Sequence, residues 1–238
     1  MRTRVLCACC AIVSLVVLGS GSLRASQVTL TINNAGSNTM GGVYVGPYNF
    51  TLSANGQNSS AGLICDDAND DVHPPGEYWN AATESYSNLP SSLDGALFPK
   101  GNVNAPNVVG YEEVGYLAEQ MLANLSNTTE VGELQWAIWD IFDAGTCGTG
   151  ISNCDPFGSL TSTQLNAVNS YLSGAASNYA SGNYSNLVIY TPVAGSQVPR
   201  GDGLPQEYIG TAAEPSTVVL LGLVLIGALG LGKRFCEA

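Results

Sequence analysis

The most constraining feature of this chain is an uninterrupted apolar run near its C-terminus. Residues 218–232 consist only of Val, Leu, Ile, Ala and Gly, and Lys233 and Arg234 follow directly. A bilayer core suits such a segment, although its 15 residues fall short of the about 20 of a comfortable span. Four glycines argue against a buried helix of a water-soluble protein, because each costs about 1 kcal/mol relative to Ala. The run therefore predicts a C-terminal transmembrane helix whose basic end, Lys233 and Arg234, stays in the cytoplasm.

The residues that flank this run carry a resemblance to a known sorting signal. Glu214-Pro215-Ser216, the short Gly/Leu-rich run and the basic pair together resemble a PEP-CTERM signal. The resemblance implies that residues 214–238 hold an exported bacterial protein in the inner membrane during transit. It also implies that an exosortase-type enzyme processes the protein and passes it to the cell surface or the extracellular matrix.

The N-terminus is consistent with export. Arg2 and Arg4 precede an apolar stretch at residues 5–18, and small residues lead from there to Ala25. This order of a basic region, an apolar region and a cleavage site is typical of a secretory signal peptide. The sequence therefore predicts a signal peptide at residues 1–25, cleaved after Ala25 or alternatively after Ser22, and export through the secretion machinery.

Between the two signals the chain is strongly acidic. Residues 26–213 hold 17 of the 19 acidic residues, all except Glu214 and Glu237, but only Lys100 and Arg200 among the seven basic ones. Binding of nucleic acid is excluded, because neutralising phosphates requires Lys and Arg. We expect one extracytoplasmic domain at residues 26–190 and a Pro/Gly-rich linker at residues 191–213, with no cofactor.

Hydrophobic periodicity predicts the fold class of this domain. Alternating or short apolar patterns predict five strands, at residues 27–33, 43–45, 50–52, 62–65 and 187–190. Helical spacing and N-terminal capping residues predict three helices, at residues 111–125, at residues 128–143 and from Thr161 onward. The expected class is α+β, with an antiparallel β-sandwich or barrel-like core, an inserted group of about three helices and the C-terminal transmembrane helix.

Three cysteines remain once the two signals are set aside, in a compartment where thiols tend to pair. The short Gly-rich loop between Cys147 and Cys154 favours a disulfide between them. Cys65 is then left over, although its pairing with either of the other two stays open. An odd cysteine in an exported protein requires an explanation.

Gln135 is the second residue that requires one. At about 100° per residue it shares the apolar face of its helix with Trp139 and Phe142. A buried carboxamide without partners costs about 1–3 kcal/mol, so it must be hydrogen-bonded or used in chemistry.

Here a second resemblance arises. Gln135-Trp136-Ala137-Ile138-Trp139 resembles the Gln-x-Ala-hydrophobic-Trp signature of bacterial surface thioester domains, whose partner cysteine lies on an earlier strand, as Cys65 does. The resemblance spans residues 43–143. It implies that the Cys65 sulfur and the Gln135 acyl group join with loss of ammonia, and that Trp136 and Trp139 shield the bond from water. The thioester would then acylate an amine or a hydroxyl, possible targets being a surface amine or a polysaccharide. Such a protein is an adhesion or structural component, and at most a single-turnover acylating agent rather than an enzyme. The single lysine of the domain fits this role, because few internal amines could quench the bond.

Other interpretations remain open. Cys65 could be a small buried hydrophobic residue and Gln135 a satisfied core amide. An alternative function is a secreted acidic hydrolase, directed at polysaccharide or peptide and anchored by the same tail. Asp67, Asn69 and Asp71 have the spacing of weak calcium ligands, but the following positions lack the Gly and Glu of a calcium-binding loop. A solvated acidic loop without metal is therefore expected.

Overall fold

The computed structural model describes part of the chain, namely residues 27–68, 70–89, 96–97, 108–143, 160–199 and 204–211. The predicted signal peptide, the sorting tail, Asn69, Cys147 and Cys154 lie outside these residues. The predicted transmembrane helix at the C-terminus lies outside them as well. Among the helices of the described ranges, none combines the length and the apolar character that crossing a membrane requires.

Six antiparallel strands close a barrel in the order β1-β4-β5-β8-β7-β6, and β2 and β3 form a separate two-stranded sheet. The strands are β1 Gln27–Asn34, β2 Thr39–Met40, β3 Val43–Tyr44, β4 Tyr48–Ala54, β5 Gln57–Cys65, β6 Tyr78–Ser85, β7 Leu187–Pro192 and β8 Tyr208–Thr211. The α+β class and the barrel-like core are therefore confirmed.

An aromatic cluster fills the barrel. Alternate residues of each strand point to the same side, so Leu30 and Ile32 of β1 are buried while the residues between them are partly exposed. The Phe50 ring centroid lies 4.7 Å from that of Tyr208 and 5.8 Å from that of Trp79, both in edge-to-face geometry. Such pairs stabilise a core beyond the area that they bury.

Three α-helices pack against one another in the described residues, as predicted: α1 Val108–Ala123, α2 Thr128–Asp143 and α3 Ser162–Asn178. The start of α2 is fixed by Asn127, whose Oδ1 accepts a hydrogen bond from the Glu130 N–H at 3.3 Å. At α3 the expected capping box forms between Thr161 and Gln164. Both signals satisfy backbone N–H groups that have no partner within the helix.

Helix α2 is the central helix of the group. It packs against α1, α3, β2 and β5, and every residue from 134 to 139 is buried. It approaches the β2–β3 hairpin closely at Gly132, where an added Cβ would lie 2.6 Å from the Met40 methyl carbon and would force Met40 to shift. This central position brings the Gln135 side chain to the barrel.

The predicted linker at residues 191–213 is wrong. β7 continues to Pro192, and β8 at Tyr208–Thr211 pairs with both β5 and β7 to close the barrel. Between them, Val198 exchanges backbone hydrogen bonds with Tyr78 of β6. Gly195 lies in a turn within the domain, and Pro192 and Gly210 lie in the strands themselves, so the domain extends to at least Thr211 instead of ending at residue 190.

Candidate functional site

The fold brings Cys65 and Gln135 together, although 70 residues separate them in the sequence. Cys65 is the last residue of β5, and Gln135 lies in the middle of α2. The Gln135 Nε2 donates a hydrogen bond of 2.5 Å to the Cys65 backbone carbonyl oxygen. Both residues are fully buried. The two residues that the second resemblance singles out are therefore neighbours in a dry part of the molecule.

The oxygen of the same amide is held by Gly46, just before β4. The Gly46 backbone N–H donates to Gln135 Oε1 at 3.2 Å. A Cβ on residue 46 would lie 2.7 Å from that oxygen, closer than real Cβ contacts come. A side chain at position 46 would therefore force the carboxamide to shift, and that carboxamide is hydrogen-bonded at both its nitrogen and its oxygen.

The Cys65 thiol is free and protonated. Its Sγ donates a hydrogen bond of 3.0 Å to the Asp67 backbone carbonyl oxygen. Burial raises the thiol pKa well above its ordinary value, and the Asp67 and Asp66 carboxyls raise it further. The Trp139 indole N–H lowers the pKa in opposition, although it has no hydrogen bond of ordinary geometry. At neutral pH the sulfur is therefore a thiol, not a thiolate.

The two predicted shielding residues pack against each other. The ring centroids of Trp136 and Trp139 lie 5.4 Å apart in edge-to-face geometry, and both side chains are buried. The Trp139 indole lies close enough to the Cys65 thiol to affect its pKa, and Trp136 packs on Trp139.

A buried acid pair lies directly beside this site, and the sequence analysis did not identify it. Asp66 follows Cys65, Glu207 precedes Tyr208 of β8, and the Asp66 N–H donates to the Glu207 carbonyl oxygen at 3.3 Å. Both carboxyls are fully buried. An acidic residue directly next to the apolar end of a strand was the available signal, but only the pairing of β5 with β8 brings the two together.

The two acids play different parts in this pair. Glu207 accepts hydrogen bonds from the Leu97 N–H at 2.8 Å, from the Tyr111 hydroxyl at 2.5 Å and from the Thr191 hydroxyl. Asp66 has no such donors, and both of its oxygens would be buried acceptors without a partner if it were ionised. Burial raises the pKa of both groups, and the nearby Glu207 raises that of Asp66 further. Asp66 is therefore the protonated member, and it can donate to Glu207.

This pair predicts how stability depends on pH. Because the folded-state pKa of Asp66 lies above its unfolded value, the folded state binds more protons once the pH exceeds about 4. The free energy of unfolding should therefore fall as the pH rises, by at most about 1.4 kcal/mol per pH unit for one group. Urea unfolding of the protein between pH 4.5 and 8 measures the slope.

Two variants test whether the pH dependence of stability comes from Asp66. Asp66→Asn removes the titrating group while keeping its shape, so stability should depend less on pH. Asp71→Asn removes an exposed aspartate of the same loop and should leave the slope unchanged. An equal slope in wild type and Asp66→Asn would contradict the assignment of the proton to Asp66.

The candidate calcium ligands Asp67 and Asp71 differ in their exposure to solvent. Asp67 is fully buried and its Oδ1 accepts a hydrogen bond from the Asp70 N–H at 3.3 Å, whereas Asp71 is exposed. Asn69 lies outside the described residues. Within the described ranges, no group of three or more His, Cys, Asp or Glu side chains is arranged to hold a metal ion.

Comparison of the chain with known protein families, with curated proteins and with solved structures gave no match. The residues and their geometry are therefore the basis on which a function is proposed.

Proposed function

We propose that this protein is an exported bacterial surface or matrix component whose barrel domain forms an internal thioester between Cys65 and Gln135. Through this bond it attaches covalently, and once per molecule, to an amine or a hydroxyl of a target surface. The observation that carries the proposal is the position of the Gln135 carboxamide, fixed between the Cys65 carbonyl and the Gly46 N–H beside a free buried thiol.

Bond formation is a condensation of two neutral groups. The Cys65 sulfur attacks the Gln135 carbonyl carbon, the C–N bond breaks, and the thiol proton leaves on the amide nitrogen as part of ammonia. Negative charge develops on Oε1 during the attack, and the Gly46 N–H is placed to stabilise it. A thiol with a raised pKa suits this route, since no thiolate has to persist in a dry and acidic site.

The reaction has a cost, which the escape of ammonia offsets. Loss of the nitrogen removes the donor to the Cys65 carbonyl oxygen, and an unsatisfied buried acceptor costs about 1–3 kcal/mol. Once ammonia has diffused into solvent the reverse reaction is negligible, so the folded protein keeps the bond. The Trp136–Trp139 pair supports this by limiting hydrolysis.

Attachment to the target transfers the Gln135 acyl group from sulfur to nitrogen. A target amine attacks the thioester carbonyl, an amide forms between Gln135 and the target, and the Cys65 sulfur leaves with the proton of that amine as a thiol. The thiol can then donate again to the Asp67 carbonyl. Because the Gln135 acyl group stays bonded to the target, the protein acts once.

The proposal includes the export and tethering that the two chain ends predict. Residues 1–25 direct secretion, and the PEP-CTERM-type tail at residues 214–238 holds the domain at the membrane until an exosortase processes it. Protease added outside intact spheroplasts should digest the domain. Protection equal to that of a cytosolic marker would contradict export.

A hydrolase is the less favoured function. It would require a carboxylate pair that a substrate can reach. The carboxyl pair beside the Cys65 site, Asp66 and Glu207, is fully buried, and Glu207 accepts hydrogen bonds from three donors. These acids shape the interior of the site rather than an open cleft.

Peptide mapping of the full chain, purified from cells in mild detergent, tests the bond. Digestion at mildly acidic pH should yield a cross-linked species that joins the Cys65 and Gln135 peptides and lacks one ammonia. Gln206 is the internal control. Its Nε2 donates to the Asp67 carbonyl, the same oxygen that accepts from the Cys65 thiol, but the proposal gives this glutamine no covalent bond. Separate, full-mass Cys65 and Gln135 peptides would overturn the proposal.

A further inference from the structure

The outward face of four neighbouring strands forms a continuous polar surface, here called the Asn/Thr face. Cross-strand pairing aligns Tyr78 of β6 with Thr31 of β1, Thr31 with Thr51 of β4, and Thr51 with Ser60 of β5. Partners that lie opposite each other in a sheet share a face. Next to this row lie three exposed asparagines, Asn33, Asn34 and Asn49.

The Asn/Thr face is neutral in a chain with a net charge of −12. Strands β1, β4 and β5 contain no Asp, Glu, Lys or Arg. The one charged residue of β6, Glu84, lies six positions along the strand from Tyr78 and outside this face. Without cations the surface has nothing to pair with phosphates or acidic polymers, and without carboxylates it has nothing to hold a cation. Its side chains also offer little apolar area to a lipid or to an apolar protein surface.

The groups on this face match the hydroxyls of a sugar. Amides and hydroxyls both donate and accept hydrogen bonds, as sugar hydroxyls do. Several are already oriented by their neighbours: Asn33 Nδ2 donates to Thr51 Oγ1 at 3.1 Å, and Asn49 Nδ2 donates to Asn34 Oδ1 at 2.6 Å. Side chains fixed before binding lose less entropy on binding.

The surface also has a suitable shape. An open depression of about 470 Å³ is bordered by the three asparagines, Ser60 and Gly62. That volume falls within the range of small-molecule sites, about 300–1,000 Å³. Tyr78, 42% exposed on the same face, offers an aromatic ring against which the apolar side of a sugar ring can pack.

From this charge, hydrogen-bonding and shape complementarity we infer that the Asn/Thr face binds a neutral polysaccharide without forming a covalent bond. The inference goes beyond the thioester and does not depend on it. Both would act on the same kind of surface, one by reversible contact and the other by acylation.

Affinity electrophoresis of the full chain in mild detergent tests the inference. The gels contain dextran, a neutral mannan or a neutral galactan, with alginate as the acidic comparison. All proteins carry Cys65→Ala, so that covalent capture cannot contribute and the failure of one proposal is distinguishable from that of the other. At least one neutral polysaccharide should retard the protein, and alginate should not.

Three variants locate the binding. Asn49→Ala combined with Tyr78→Ala should weaken retardation by about tenfold, because it removes one hydrogen-bonding group and the exposed ring. Ser60→Glu, which keeps every other contact, should weaken it by placing a charge in the depression. Asn166→Ala removes an equally exposed amide on α3 and should change nothing. Near-ultraviolet circular dichroism confirms that each variant is folded.

The inference is overturned if no neutral polysaccharide retards the protein, if alginate binds more tightly, or if the face variants bind like Asn166→Ala. Wild-type protein that shapes ice crystals, with that activity lost in the face variants, would assign the face to ice instead and would overturn it as well.

Discussion

The Cys65→Ala protein should incorporate no methylamine at Gln135, whereas the wild-type protein should incorporate it there to near completion. A glutamine amide does not react with amines at neutral pH, so labelling requires that its carbonyl be activated by the sulfur. The side chain removed is small and makes one hydrogen bond, to the Asp67 carbonyl oxygen, so the fold should survive. Mass spectrometry of the Gln135 peptide, with iodoacetamide to detect the thiol released from Cys65, measures both products of the reaction.

A second variant and an internal control make this result specific. Cys65→Ser keeps a donor that can bond to the Asp67 carbonyl oxygen, so it preserves the local hydrogen bond while lacking the sulfur. It too should remain unlabelled. Gln206 should remain unlabelled in every protein. Methylamine at Gln135 in the Cys65→Ala protein would mean that the amide is activated by something other than this sulfur, and the proposed function would fail.

Gly46→Ala should slow the formation of the bond by about 100-fold, the lower end of what losing one oxyanion donor costs. The new Cβ would displace Gln135 Oε1 from the Gly46 N–H, since it would lie 2.7 Å from that oxygen. Before the thioester forms, moving the amide also weakens its hydrogen bond to the Cys65 carbonyl, so the free energy of unfolding of the bond-free protein should fall by about 1–3 kcal/mol. The rate of bond formation is measured after refolding, without added amine, as the loss over time of the Cys65 thiol that iodoacetamide can alkylate.

Gly174→Ala is the matched control for this substitution. A Cβ at position 174 of α3 meets no atom within 4 Å, so the change should leave bond formation unaffected and should stabilise the helix by up to about 1 kcal/mol. Equal rates in Gly46→Ala and Gly174→Ala would remove Gly46 from the proposed mechanism.

Local signals predicted the helices well because their determinants are local. The capping residues Asn127 and Thr161 each satisfy backbone groups within three positions, and the bounds of α2 agree with the expectation. Helical periodicity also placed Gln135 among the buried residues, as found. That it meets Cys65 followed only from the resemblance, because no pattern within the chain encodes contact between a strand end and a distant helix.

The missed strands had weak local signals. β8 is four residues long and follows Leu204-Pro205, and its place is set by pairing with β5 and β7 rather than by its own pattern. β6 begins with Tyr78-Trp79 but continues with small and polar residues, so its alternation is faint. The acid pair was missed for the same reason, since Glu207 approaches Asp66 only through the pairing of β8 with β5.

The late position of β8 in the chain has a consequence for biogenesis. A polypeptide that emerges N-terminus first presents both neighbours of β8, namely β5 and β7, before β8 itself. Until residue 211 has emerged, these two strands have unpaired edges, which are prone to pair with other chains. The strand that closes the barrel is therefore the last one to be synthesised. A nascent chain that stalls before β8 would expose the unpaired edges of β5 and β7 and would tend to aggregate through them.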